Sequence, residues 1–86
     1  MVNSVDIAAA TRELMLRTGQ NWYQQGDIHQ AMDIYLRIVE EYPGTAEAES
    51  AQFSLLKIAQ DYETGDAPRL SLDVLERLKR ATLPPE

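Results

Sequence analysis

Cysteine is absent from this chain, so no disulfide framework, thiolate metal site or cysteine nucleophile is available to it. Basic residues are scarce: eight Lys and Arg stand against 14 Asp and Glu, for a net charge of −6. Nucleic-acid binding draws on clustered cations that release counterions from phosphates. The one cluster, Arg77-Lys79-Arg80, falls in the last turn of an expected helix, where cations complement the terminal carbonyls. No nucleic-acid partner is expected. There is no apolar run of about 18 residues, the length that crosses a bilayer, so no membrane insertion is expected either. Residues 1–10 hold Asp6, no Lys or Arg and a short apolar patch, which does not read as a secretory signal; the expected location is cytoplasmic.

Catalytic equipment is equally sparse. His29 is the only histidine, placed on the polar side of an expected helix with Asp27 and Asp33 nearest, a set that matches no metal-ligand spacing. Glu40, Glu41, Glu47 and Glu49 cluster around a connector and read as a solvated rim, since nothing there buries a carboxyl and raises its pKa. No Gly-rich phosphate loop, serine-nucleophile motif or dinucleotide fingerprint occurs. No catalytic residue, metal site or cofactor is expected, and the chain is read as not an enzyme.

What the chain does have is 44% hydrophobic and 26% charged residues over 86 positions, the composition of one small globular domain. Apolar residues recur at helical steps in four segments. Val5, Ala8, Met15, Gly19 and Trp22 mark a first helix from about Ser4 to Gln25, capped by Asn3 or Ser4, with Leu14 and Leu16 widening its buried stripe. Ile28, Ala31, Met32, Tyr35, Ile38, Val39 and Tyr42 mark a second, from about Asp27 to Tyr42. Ala48, Ala51, Leu55, Ile58, Ala59 and Tyr62 mark a third, capped by Thr45, with Phe53 and Leu56 beside the stripe. Leu72, Leu75 and Leu78, with Leu70 and Val74 alongside, mark a fourth from Pro68 to about Ala81, stopped by Leu83-Pro84-Pro85.

The breaks between helices carry their own chemistry. Gly26 suits the left-handed conformation that ends a helix, and Asp27 is placed to cap the next. Pro43 disfavours helix at Tyr42 and so stops the second segment. Gly19 and Ala31 lack bulk and let two antiparallel helices approach closely, while Trp22 and Tyr35 fill the wedge beside that contact. Gly65-Asp66 echoes Gly26-Asp27 at a distance of 39 residues.

The ordered set Gly19, Trp22, Gly26-Asp27, Ala31, Tyr35 and Tyr42-Pro43 resembles a tetratricopeptide repeat. The resemblance covers about residues 12–81 and is most specific in the first hairpin. The connector Tyr42-Pro43-Gly44-Thr45, with Ala48, Ala51, Phe53, Leu55 and Ile58, looks like a bacterial subset that includes outer-membrane assembly and Tol–Pal-associated proteins. The second hairpin departs from the pattern, with Leu56 where a small residue is usual and Ser71 or Leu72 where alanine is. The resemblance implies an all-α fold of two antiparallel helix-turn-helix hairpins, at about 4–42 and 45–81, with a tail at 82–86. They would stack as a short right-handed α-solenoid, making residues 1–86 one domain.

The resemblance also implies a concave groove lined by the first helix of each hairpin. Carried over, it would present Glu13, Leu16, Gln20, Tyr23 and Gln24 from the first repeat, and Ser50, Phe53, Lys57, Gln60 and Asp61 from the second. Tyr23 leads that list, because its neighbour Trp22 takes the hairpin core. The positions that clamp a terminal carboxylate in the best-known groove of this kind hold Leu16, Gln20, Phe53 and Lys57 here, with a single cation. Apolar or amide contact with a protein or peptide partner is therefore expected, as in an adaptor or assembly factor. Two hairpins are a thin stack. Leu70, Val74 and Leu78, with Leu72 and Leu75, exceed what one packing face needs and point to a homodimer or docking onto a larger protein. A structural subunit that builds a homo-oligomer, or a piece of a longer repeat array, are the alternatives.

Overall fold

The computed structural model describes residues 4–82, with side chains from residue 7 onward. The expected cap Asn3 and the stop Leu83-Pro84-Pro85 lie outside the described residues, and Ser4, the other expected cap, is the first residue of the first helix. Four helices follow one another, α1 (Ser4–Gln24), α2 (Ile28–Glu41), α3 (Ala46–Thr64) and α4 (Pro68–Thr82), and no strand occurs among the described residues. α1 packs on α2 and α3 on α4 as two hairpins, α2 joins them by packing on α3, and lighter contacts run from α2 to α4 and from α1 to α3. This is a short all-α stack of helical hairpins.

Each hairpin turns by the same device. In the first, Gly26 takes φ +87°, its N–H meets the Tyr23 carbonyl at 3.1 Å, and the Asp27 N–H meets the Trp22 carbonyl at 2.9 Å. That is the paired 5→2 and 6→1 bonding that closes a helix through a left-handed residue. Asp27 occupies the N-cap of α2 but its side chain makes no cap bond, so the expected capping is corrected: its peptide, not its carboxylate, closes the turn. In the second hairpin the 6→1 bond runs from Ala67 N–H to the Tyr62 carbonyl at 2.8 Å, and the left-handed residue is Asp66 at φ +67°. Gly26 therefore corresponds to Asp66, not Gly65. The internal repeat is forty residues, one more than the Gly-Asp echo suggests.

Thr45 caps α3 as expected, its Oγ1 accepting from the Ala48 N–H at 3.1 Å and donating to the Tyr42 carbonyl at 2.7 Å. The core then fills from the α2 and α3 stripes. Tyr35, Ile38, Val39, Leu55, Ile58 and Val74 are its largest fully buried side chains, each contributing about 1.5–3 kcal/mol by burial. Gly19 is buried where α1 crosses α2, and the Tyr35 ring fills the space a side chain there would occupy.

Three expectations about burial are corrected. On α4 the buried face is Ser71, Val74 and Leu78, so Val74 and Leu78 belong to the core of this chain rather than to an outer docking surface. Leu70, Leu72 and Leu75 are the exposed leucines of that helix. The reason is phase: Ser71 stands forty residues after Ala31 and takes its close-packing place, which turns Leu72 and Leu75 outward. Leu14 does not widen the α1 stripe but lies exposed, and Glu47 is not part of a freely solvated rim. Its carboxylate meets Arg12 Nε at 2.9 Å, tying α1 to α3, with the Arg12 guanidinium 5.9 Å above the Tyr42 ring centroid.

Candidate groove between the first helices of the two hairpins

α1 and α3 run along one side of the stack and leave a groove of about 280 Å3 between them. Gln20, Tyr23 and Gln24 line it from α1, Phe53, Ser54 and Lys57 from α3, and Tyr35 reaches it from α2 beneath. Helical spacing explains the grouping: 20, 23 and 24 share one face of α1, as 53, 54 and 57 share one face of α3. Phe53 is 72% exposed, the most exposed large apolar side chain among the described residues. A second depression shares Phe53 and Lys57 and adds Leu56 and Gln60, so the apolar floor extends along α3.

Tyr23 organises the polar end. Its hydroxyl donates to Asp61 Oδ2 on α3, and the Lys57 ammonium lies 5.8 Å from its ring centroid, within range of a cation–π attraction. Lys57 and Asp61 stand one turn apart on α3, a spacing suited to an ion pair. Each turns to Tyr23 instead. The hydrogen bond to the Asp61 carboxylate, then burial, raise the Tyr23 hydroxyl above the ordinary tyrosine pKa, so it stays a donor at any physiological pH. Below it, burial raises the Tyr35 hydroxyl as well, partly offset by the neighbouring Ser54 hydroxyl.

Of the residues expected in the groove, Gln20, Tyr23, Gln24, Phe53 and Lys57 converge, Gln60 borders the second depression, and Asp61 is the partner of Tyr23. Glu13, Leu16 and Ser50 line neither depression; Leu16 packs half-buried against the core, and Glu13 faces Arg17 at 3.9 Å on its own helix. The forty-residue register pairs Gln20 with Gln60 and Leu16 with Leu56, three positions from the alignment the family pattern suggests. Tyr35 and Ser54 also line the groove but are not in the set the resemblance implies, although Ser54 directly follows Phe53 in sequence.

Both the hairpin geometry and the residues that build it point to one repeat type. Residues 13–45 match the tetratricopeptide repeat. The match runs from the middle of α1 through α2 to the N-cap of α3, which is the first hairpin and its exit. Tetratricopeptide repeats generally mediate contacts between proteins. No curated protein and no solved structure matched the chain. Among the described residues, no group of three or more His, Cys, Asp or Glu is placed to hold a metal ion, and no helix is long and apolar enough to cross a membrane.

Proposed function

We propose that this chain is a non-catalytic protein-binding module, an adaptor or assembly factor, whose α1–α3 groove takes a segment of a partner protein. The observation that carries this reading is the convergence of Gln20, Tyr23, Gln24 and Lys57 around a largely uncovered Phe53. Covering a side chain such as Phe53 is worth about 1.5–3 kcal/mol, enough to make it the anchor of a modest interface. The amides orient a partner backbone, since each offers both donors and an acceptor. Lys57 is held over Tyr23, so a carboxylate on the partner is met by a positioned cation rather than a free one. The partner segment this favours carries an apolar side chain for the Phe53–Leu56 floor and an acid or amide beside it.

Panning a peptide-display library against the intact chain tests the reading. Selected peptides should share an apolar anchor, and Phe53→Ser should weaken them about tenfold or more without lowering the melting temperature. Lys57→Glu should weaken only those with a neighbouring acid. If Phe53→Ser binds the selected peptides as well as the parent does, the groove is not the binding site. A second reading, in which the chain builds a homo-oligomer, rests on the exposed leucines of α4 rather than on the groove.

A further inference from the structure

The forty-residue register relates the two ends of the stack to its inner junction. At that junction α2 packs on α3, and Tyr35 and Ser54 meet at the floor of the groove. Ala51 and Ile58, both buried, share the Ser54 side of α3 by helical spacing, and Met32, also buried, shares the Tyr35 side of α2. Forty positions earlier than the α3 stripe stand Thr11, Leu14 and Thr18 on α1. Forty positions later than Met32 and Tyr35 stand Leu72 and Leu75 on α4. Leu14 is 61% exposed, Leu72 59% and Leu75 39%. Each end thus bears, uncovered, the counterpart of one half of the inner junction.

The substitutions between the two settings favour contact. The polar pair Tyr35 and Ser54 becomes the apolar pair Leu75 and Leu14. Ile7, also exposed, extends the α1 stripe by one further step of seven. Thr11 and Thr18 donate their hydroxyls to the Ile7 and Leu14 carbonyls at 2.9 and 2.8 Å, so covering this stripe leaves neither donor unpaired. On α4, Glu76 and Lys79 stand where α2 has the buried Leu36 and Val39. Half of that face is therefore hydrated, which suits a reversible contact rather than a permanent one.

We propose that a second copy of this chain docks head to tail, its α1 stripe of Ile7 and Leu14 covering Leu72 and Leu75 of α4. The occupant is a second copy because the two matching faces are on the same chain and repeat a junction that the chain already makes. The contact is heterologous, so it leaves a free end at each side and grows as an open chain rather than closing as a symmetric pair. A net charge of −6 on each copy opposes it, so salt strengthens it. The groove residues take no part, and this inference stands apart from peptide binding.

Sedimentation of the full chain from about 10 μM to about 1 mM tests it. The average mass should rise with concentration past that of a dimer, and rise further from about 0.05 to about 0.5 M salt. Leu14→Asp and Leu75→Asp each place a charge in the contact and should each weaken association about tenfold or more. Both positions are exposed, and circular dichroism checks that the helices persist; Leu14→Asn and Leu75→Asn serve if either aspartate variant unfolds. The deciding arm is the mixture. Leu14→Asp keeps α4 intact and Leu75→Asp keeps α1 intact, so mixing the two should form a one-to-one dimer and nothing larger. A parent chain that stays monomeric throughout overturns the proposal. So does a Leu14 variant that still associates alone, which would mean α4 pairs with α4.

Discussion

Replacing Gly19 with alanine sets two opposing effects against each other at one carbon atom. Within a helix, alanine is favoured over glycine by about 1 kcal/mol, because glycine surrenders more backbone entropy on folding. At Gly19, however, an added Cβ would lie 2.7 Å from Tyr35 Cε1, 3.1 Å from Cδ1 and 3.2 Å from Cζ. The ring is 2% exposed and packed within the core cluster, so it yields only if α1 and α2 part. Overpacking of this kind costs about 1–3 kcal/mol. The difference is a net loss of about 1 kcal/mol, within a range of about 0–2. For a chain of this size, that lowers the melting temperature by roughly 4–8 °C.

Thermal and urea unfolding followed by circular dichroism measure it, and a double-mutant cycle isolates the cause. In a Tyr35→Leu background the ring atoms are gone, so Gly19→Ala should become stabilising by about 1 kcal/mol. In Tyr35→Phe the crowded carbons remain, so the loss should persist. If Gly19→Ala stabilises the parent chain by its full helix preference, or shifts both backgrounds equally, the ring is not the wedge between α1 and α2.

Three further outcomes are expected. Asp66 holds φ +67° in the exposed turn between α3 and α4; Asp66→Gly should raise stability by about 0.5–1 kcal/mol, whereas Gly26→Val, at φ +87°, should lower it sharply, and equal effects at the two sites would contradict the matched turns. Thr45→Ala removes the cap on α3 and should cost about 1 kcal/mol in urea titration; an unchanged midpoint would show that Thr45 does not hold the helix start. The hydrogen bond from Arg12 holds the Glu47 carboxyl below its ordinary value of 4.5. A depressed folded-state pKa gives stability that is present above the unfolded value and fades as pH falls through the folded one. Glu47→Gln should therefore flatten the acid limb of the stability curve below about pH 4.5, and a limb as steep as the parent's would assign that slope to other groups.

The parts of this fold that sequence makes plain are those decided within one or two turns of chain. Helical period in Ala31, Met32, Tyr35, Ile38 and Val39 is local, and those residues are buried. The left-handed turn at Gly26 and the cap at Thr45 depend on neighbours three or five residues away. Phase on α4 is less plain in the sequence, because leucines at 70, 72, 75 and 78 offer two faces of similar apolarity. What breaks the tie is Ser71, a small residue admitted where α4 crosses its partner. Hydrophobicity alone ranks it below every leucine around it. Close approach rewards the lack of bulk instead.

Long-range pairs left no local trace. Arg12 and Glu47 stand 35 residues apart, and Tyr23 and Asp61 stand 38 apart. Both pairs join α1 to α3, the two helices with little direct backbone contact, and so both fix the width of the groove between them. This links stability to binding. Asp61→Asn weakens the acceptor for the Tyr23 hydroxyl and frees Lys57 from a neighbouring charge, yet it touches nothing in the core. Its effect should fall on the position of the Tyr23 ring, and hence on peptide affinity, with a melting temperature close to the parent's. A variant that melted several degrees lower but kept full affinity would reverse that assignment, making the Tyr23–Asp61 pair a brace for the fold and leaving recognition to Phe53 and Leu56 alone.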